Sequence, residues 1–221
     1  MGHCSWVFDI STADRAYHDT QWGIPVHDDD RQMFEHLTLE CLQCGLSWGL
    51  MLKKREIFRR CFENFDYDRI ASYNEDDVQR ILHTEGMLRS ERKIRAVIGN
   101  ARCYQQIRAE FGSFCSYLWS YTDGKTVLYD GHADGAVPVS NGLSDRISRD
   151  LKRRGFRYIG PVTIYSHLQA CGVINDHAGD CPRYHAINGA YPTVTMAPDH
   201  EVPQAPVHRS DGKPSGKEQQ P

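Results

Sequence analysis

The sequence predicts a mostly helical protein. Apolar residues recur at helical spacing along most of the chain, and the period-2 alternation expected of half-buried strands is largely missing. The chain has 221 residues, of which 40% are hydrophobic, and a mean hydropathy of −0.58. A chain of this size buries a core that needs no disulfide or metal to hold it. Together these observations predict an all-α fold.

The first half of the chain carries three helix patterns. Asp30 is a candidate cap for a helix over residues 31–44, which has apolar residues at helical spacing. A second helix is predicted over about residues 48–62. Asn74, followed three residues later by Asp77, predicts a capped short helix that ends near residue 83.

The clearest helical pattern covers residues 92–109. One face of this segment is apolar and consists of Ile94, Val97, Ile98, Ala101, Tyr104 and Ile107. Further helices are predicted near residues 114–120, 144–154, 161–171 and 175–184. Residues 126–129 are the one strand candidate, but the glycine-rich stretch around them favours a loop.

The C-terminal segment differs from the rest of the chain in composition. Residues 182–221 hold seven of the ten prolines and almost no apolar periodicity. Such a composition is typical of disordered chains. We therefore predict one folded domain over residues 1–187 and a disordered tail over residues 188–221.

Composition also predicts where the protein works. No apolar run reaches 18 residues, and the N-terminus lacks the pattern of a secretory signal. Eight cysteines without an export signal predict cytoplasmic thiols rather than a disulfide framework. Cys41 and Cys44 have the spacing of a redox or metal pair, but their helical context favours buried free thiols.

Local charge points to a polyanionic partner, although the net charge is −3. Residues 146–157 hold six basic residues and one acidic residue, a net charge of +5. A turn between two predicted helices follows, bounded by Gly155 and Gly160, with Pro161 at the first position of the next helix. Open N–H groups at a helix start bind phosphate. The turn alone fits an ordinary interhelical connection equally well; the basic flank favours contact with the DNA backbone.

Four residues near the two ends of the predicted domain form a candidate metal site: Cys4, His18, His177 and Cys181. Two thiolates and two imidazoles are the usual ligand set of a closed, structural zinc site. Residues 177 and 181 have the spacing that places two ligands on one helical turn. We predict one structural Zn²⁺ per chain, which joins the N-terminal segment to the last helix.

Several motifs resemble the DNA-3-methyladenine glycosylase I family of helix-hairpin-helix repair enzymes. They are CSW (4–6), AYHDTQWG (16–23), FEHLTLE (34–40), GLSW (45–48), LKKRE (52–56), KIRAVIGNAR (93–102), LKRRGF (151–156) and VINDH (173–177). The resemblance covers about residues 3–185. It implies a helix-hairpin-helix glycosylase fold and hydrolysis of the N-glycosidic bond of 3-methyladenine in alkylated DNA.

The resemblance also assigns roles to residues of this chain. The family's zinc ligands match Cys4, His18, His177 and Cys181. Its base-recognising carboxylate matches Glu40, and its stacking aromatics match Tyr17 and Trp48; these three are the predicted catalytic residues, and Leu46 is a further predicted substrate contact. The predicted DNA contacts lie at the hairpin and comprise Lys152, Arg153, Arg154, Gly155 and Gly160.

The resemblance assigns no role to two aspartates, Asp14 and Asp176. Asp14 stands where some family members have a further pocket tyrosine. Asp176 precedes a predicted zinc ligand, and we expect it to orient a ligand histidine.

The chemistry of the lesion fits the predicted residue types. Methylation at N3 makes adenine cationic. The positive charge strengthens stacking on electron-rich rings and compensates the charge of a partly buried carboxylate. A cationic base is also a good leaving group, so heavy acid catalysis is unnecessary. No lysine nucleophile adjoins the hairpin glycine, so we expect a monofunctional enzyme. We also expect it to be a monomer and to act on double-stranded DNA. Two alternatives remain: a catalytically weakened damage-binding module, and a zinc hydrolase, which would need an open metal position.

Overall fold

The computed structural model describes residues 4, 6, 11–135 and 137–197. Most of these residues form α-helices, and their order along the chain is α1 (Thr12–Thr20), α2 (Asp30–Gln43), α3 (Trp48–Cys61), α4 (Tyr67–Ala71), α5 (Glu75–His83), α6 (Glu91–Phe111), α7 (Phe114–Trp119), α8 (Gly142–Arg153), α9 (Pro161–Ala170) and α10 (Pro182–Ala190). The mostly helical fold predicted from the sequence is confirmed. No described helix is long and apolar enough to span a membrane.

Helix α2 is the centre of the fold. Every residue from Met33 to Leu42 is buried, because α3, α6, α7 and α9 all pack against this helix. Asp29 caps its first turn by accepting the N–H of Gln32, one residue earlier than predicted. The predicted cap, Asp30, instead accepts the N–H groups of Phe114 and Cys115 and so holds the start of α7 against α2.

The described residues include a small parallel sheet that the sequence did not predict. Strand β1 (Thr126–Tyr129) pairs with β2 (Thr193–Met196), with Thr126 opposite Thr193. The paired residues are more than sixty positions apart in the chain, so no local sequence pattern predicts the pairing. The loop prediction for residues 126–129 was therefore wrong. Residues 188–190 lie in α10 and residues 193–196 in β2, where disorder was predicted; residues 198–221 of that prediction lie outside the described residues.

The segment after α9 also differs from its prediction. A helix was expected over residues 175–184, but α10 begins only at Pro182, with Cys181 as its N-cap. Tertiary partners bind the backbone of the intervening loop: the Asn175 N–H donates to the Val127 carbonyl and the Gly179 N–H to the Ala133 carbonyl. The loop thereby lies against β1 and the turn that follows it.

Candidate active site and metal cluster

The four predicted metal ligands converge in the structure. Their ligand atoms all lie within 4.8 Å of one another, and all four residues are buried. The distance from Cys4 Sγ to His177 Nδ1 is 3.5 Å, and Cys181 Sγ lies 3.7 Å from the same nitrogen and 3.8 Å from His18 Nε2. Bond lengths of about 2.0–2.3 Å around a tetrahedral ion give similar ligand separations. The chain therefore has a cluster that could hold a metal ion.

Neighbouring groups fix the orientation of both imidazoles. His18 Nδ1 lies 2.7 Å from a carboxylate oxygen of Asp19, which leaves Nε2 to face the cluster. His177 Nε2 lies 3.2 Å from the Trp22 carbonyl oxygen, which leaves Nδ1 to face the cluster. Each outward nitrogen lies beside an acceptor and each inward one faces the cluster, which is the usual arrangement at metal-binding histidines. The donor set thus fits a metal ion.

Burial shifts the pKa values of two cluster residues. Burial raises the pKa of the Cys4 thiol to about 12. Burial, together with the neighbouring His18, lowers the pKa of His177 to about 3. The imidazole is therefore in its neutral, ligating form, whereas a thiolate at this position needs a bound cation to compensate its charge.

A cavity of about 360 Å³ lies between the cluster and helices α1, α2, α3 and α9. Its wall brings together three residues predicted for base recognition, Tyr17, Glu40 and Trp48, although they come from three different helices. The remaining lining residues are Cys4, Trp6, Trp22, Gln43, His132, Gly135, Val137, Ser166, Gln169, Asp176 and Ala178.

The Glu40 carboxylate is buried without a partner. The residue is 6% exposed, and no hydrogen bond to its carboxylate is found among the described residues. Burial raises the pKa of Glu40 to about 8. Perturbed carboxylates of this kind, facing a cavity, are typical of functional sites.

Two aromatic side chains beside Glu40 carry unpaired polar atoms. The Tyr17 hydroxyl and the Trp48 indole Nε1 are buried and have no hydrogen-bond partner in the described part of the chain. The two rings lie 5.1 Å apart, centroid to centroid, at an angle of 49°. Burial and the nearby Glu40 raise the pKa of Tyr17 well above its ordinary value, so the hydroxyl keeps its proton and remains a donor. The cavity thus offers two donors and one carboxylate.

Two other predicted residues do not line this cavity. Leu46 is 39% exposed and lies on the adjoining groove that Glu40 and Val162 share. Asp14 is buried, accepts a hydrogen bond from the Ser11 hydroxyl at 2.6 Å and faces Gly49.

Asp176 has a different role from the one expected. It binds none of the cluster histidines; its carboxylate accepts from the Tyr165 hydroxyl at 2.6 Å and the Gln169 amide at 2.8 Å, and lies 2.7 Å from His132 Nδ1. The expectation that Asp176 orients a ligand histidine was wrong, because Asp19 and a backbone carbonyl do so instead.

The predicted hairpin joins α8 to α9. Gly155 has φ of +97°, Gly160 is the N-cap of α9 and Pro161 is its first residue. Ile159, 1% exposed, anchors the turn in the core, and its carbonyl accepts the Ser148 hydroxyl.

The basic residues around the hairpin fall into two groups. Lys152 and Arg153 are exposed, and Arg153 also donates to the Asp150 carboxylate at 2.8 Å. Arg154 is not free for DNA as predicted: its guanidinium binds Asp150 and Glu110 and lies over the rings of Phe111 and Tyr117. It fastens α8 to α6 and α7.

Comparison with known proteins identifies the family of this chain. The family model described as methyladenine glycosylase matches residues 6–184. The chain belongs to this family. It is 40% identical over 184 residues to "DNA-3-methyladenine glycosylase 1" of Escherichia coli (strain K12), and the match covers 83% of this chain and 97% of that relative. The resemblance predicted from the motifs is confirmed.

Solved structures of methyladenine glycosylases have the same fold. A crystal structure of 3-methyladenine DNA glycosylase I has a TM-score of 0.77 at 41% identity, covering 82% of this chain and 98% of the other. The Staphylococcus aureus enzyme, solved to explain 3-methyladenine recognition, has a TM-score of 0.76 at 33% identity, covering 82% and 96%.

Several lining residues of this family member escaped the sequence analysis. His132 follows β1, for which the sequence predicts a loop, and Gln169 lies within α9. No motif distinguishes either residue. Trp22, whose ring centroid lies 4.5 Å from that of His177, belongs to the AYHDTQWG motif, but the sequence predicts no role for it.

Proposed function

We propose that this protein is a monofunctional, monomeric glycosylase that hydrolyses the N-glycosidic bond of 3-methyladenine in alkylated double-stranded DNA. One observation carries the proposal: Glu40, Tyr17 and Trp48 line one cavity, and within the described residues the Tyr17 hydroxyl and the Trp48 indole N–H have no partner and no hydrogen bond to the Glu40 carboxylate is found. Buried polar groups are normally paired. A bound ligand that supplies both donors and acceptors would pair all three.

An extruded, alkylated adenine is such a ligand. Its exocyclic N–H group would donate to Glu40, and its ring nitrogens would accept from the aromatic residues. The positive charge of the base would compensate the buried carboxylate and stack on the rings of Tyr17 and Trp48. Enzymes that act on a base extrude it from the duplex in this way.

Release of the base needs little acid catalysis. The glycosidic electrons pass to the cationic ring, which leaves as neutral 3-methyladenine, while water adds to the sugar carbon and loses a proton. No lysine lines the cavity within the described part of the chain, in agreement with hydrolysis rather than lyase chemistry.

The hairpin supplies the DNA contact in this proposal. The first-turn N–H groups of α9 have no helical acceptor, and together with exposed Lys152 and Arg153 they would hold the phosphate backbone. The Cys/His cluster would hold one Zn²⁺. Four protein ligands close its coordination, so its role would be structural and not catalytic.

The experiment that tests the function follows the release of free base. Duplex DNA methylated with a labelled agent is incubated with excess protein, and the supernatant is resolved by chromatography. We expect labelled 3-methyladenine and a matching number of abasic sites. Tight binding to the damaged duplex without release of base would instead identify a damage-binding module.

A further inference from the structure

His132 is a buried histidine in the wall of the base cavity. It lies on a short 3₁₀ turn, His132–Asp134, that follows β1, and it is 3% exposed. None of the eight short motifs that resemble the family includes it. Its contacts nevertheless place it in the same cavity as Glu40, Tyr17 and Trp48.

Asp176 determines which imidazole nitrogen of His132 carries a proton. Its carboxylate side chain is 1% exposed and accepts from Tyr165 and Gln169 as well as from His132. Because the carboxylate already accepts from two donors, it also acts as the acceptor at its contact with His132, and Nδ1 is the donor. In the neutral ring, Nε2 then carries a lone pair and is an acceptor. No partner for Nε2 is found within the described residues.

The turn that carries His132 is held at both ends. The Gly179 N–H, from the loop between two cluster ligands, donates to the Ala133 carbonyl at 2.8 Å. The Gly135 N–H closes the turn on the His132 carbonyl at 2.9 Å. The Tyr129 ring packs 5.0 Å from the imidazole. The position of the acceptor is therefore fixed before any ligand binds, which reduces the ordering cost of binding.

We propose that His132 is a specificity-determining residue, whose Nε2 accepts a hydrogen bond from an N–H group of the extruded base, and that Asp176 is its positioning residue. The proposal rests on the proposed function and extends it. Glu40 and His132 would form two acceptors in one cavity, a pattern that suits a cationic, amino-bearing purine. A site that offers hydrogen bonds rejects ligands that leave its polar groups unpaired.

Variants of His132 separate this role from packing. His132→Gln keeps an acceptor near the Nε2 position, whereas His132→Leu keeps the bulk and removes it. We expect His132→Leu to lower single-turnover excision of 3-methyladenine about ten- to a hundredfold, the usual effect of losing a hydrogen bond to a charged group. His132→Gln should retain most of the activity. Equal activity of His132→Leu and the wild type, or equal loss in both variants, would overturn the proposal.

A double-mutant cycle tests the positioning role of Asp176. Asp176→Asn can donate to Nδ1 and so allow the tautomer in which Nε2 bears the proton. It should lower excision in the wild-type background and add little to His132→Leu. Tyr165→Phe, which removes a different hydrogen bond from the same carboxylate, is the matched control and should have a smaller effect. Full additivity of Asp176→Asn and His132→Leu would contradict the coupling.

A measurement on the unmodified protein covers the case in which a variant does not fold. In ¹⁵N spectra of the imidazoles, His132 Nε2 should be unprotonated and should shift when free 3-methyladenine is added. An unshifted Nε2 in the presence of saturating base would overturn the proposal. If the wild type released no base at all, the proposed function would fail; normal wild-type excision with an unshifted Nε2 would reject the role of His132 alone.

Discussion

Replacement of Glu40 by glutamine should stabilise the protein while it impairs the reaction. Burial raises the pKa of Glu40 from 4.5 to about 8. Since each pKa unit corresponds to about 1.4 kcal/mol, the ionised carboxylate is disfavoured by about 5 kcal/mol in the folded protein without a bound base. Glutamine has nearly the same shape and does not ionise. The substitution therefore removes an electrostatic cost that only a cationic ligand would otherwise compensate.

The sign and the pH window follow from linkage. Because the folded pKa lies above the unfolded one, the folded protein holds a proton that the unfolded chain loses between pH 4.5 and about 8. The free energy of unfolding therefore falls as the pH rises through this window. At pH 7 it is about 3 kcal/mol lower than at pH 4.5. We expect Glu40→Gln to raise the free energy of unfolding by about that amount at pH 7, and by little at pH 4.5.

Urea unfolding at several pH values, paired with single-turnover excision, measures both effects. Excision of 3-methyladenine by the wild type should increase from pH 6 to 8 as Glu40 ionises, and Glu40→Gln should lower it about ten- to a hundredfold. A variant that is less stable than the wild type at pH 8 and excises at the wild-type rate would refute the reasoning, because Glu40 would then be a structural carboxylate.

Glu35 offers a matched control on the same helix. It is 9% exposed, and Arg55 and Arg59 donate to its carboxylate at 2.6 and 3.1 Å. Burial alone would raise its pKa, but the two guanidinium groups lower it below the ordinary value. Stability from Glu35 is therefore present above pH 4.5 and is lost as the pH falls. Glu35→Gln should destabilise the protein at pH 7, the opposite sign to Glu40→Gln.

Three further predictions concern the metal, the DNA and acid stability. Cys181→Ala should abolish copurification of one zinc per chain and lower the melting temperature far more than Cys61→Ala, an equally buried thiol outside the cluster; metal analysis and thermal unfolding check this. Lys152→Ala and Arg153→Ala should each flatten the log–log salt dependence of duplex binding by about one unit, for damaged and intact DNA alike; an unchanged slope would place the DNA elsewhere. Burial lowers the pKa of His36 to about 4. Below pH 6.5 the imidazole of His36 is protonated in the unfolded chain but not in the folded protein, which should lower the free energy of unfolding by about 2 kcal/mol at pH 5. Urea unfolding at pH 5 and 7 should show that His36→Leu removes this loss.

Local interactions explain which parts of the fold the sequence could predict. Asn74 accepts the Asp77 N–H and Asp77 accepts the Asn74 N–H; such a capping box lies within four residues and can be read from them. Pro161 at the first position of α9 is equally local. The partners of Asp30, by contrast, lie more than eighty residues away, and the pairing of β1 with β2 is similarly remote.

The same distinction applies to the site. Glu40, Tyr17 and Trp48 were located through motifs, and the structure brings them to one cavity. His132 could not be found in this way, because its significance depends on Asp176, 44 residues later. Arg154 illustrates the opposite error: a basic cluster in sequence does not reveal which of its members Asp150 and Glu110 bind.

The Cys/His cluster and the cavity share one segment of chain, so a bound metal would have a functional consequence even without a catalytic role. The loop that carries His177 also carries Asp176, which positions His132, and Gly179, which holds the turn after β1. Cys4 lines the cavity itself. An ion bound to Cys4 and His177 would fix this loop against α1. It would thereby also fix His132, the proposed hydrogen-bond acceptor, in the cavity wall. Loss of the metal should therefore weaken base recognition, because His132 would no longer be held in position. The hairpin precedes α9 in the chain, whereas this loop follows it, so the hairpin surface should keep its affinity for the DNA backbone.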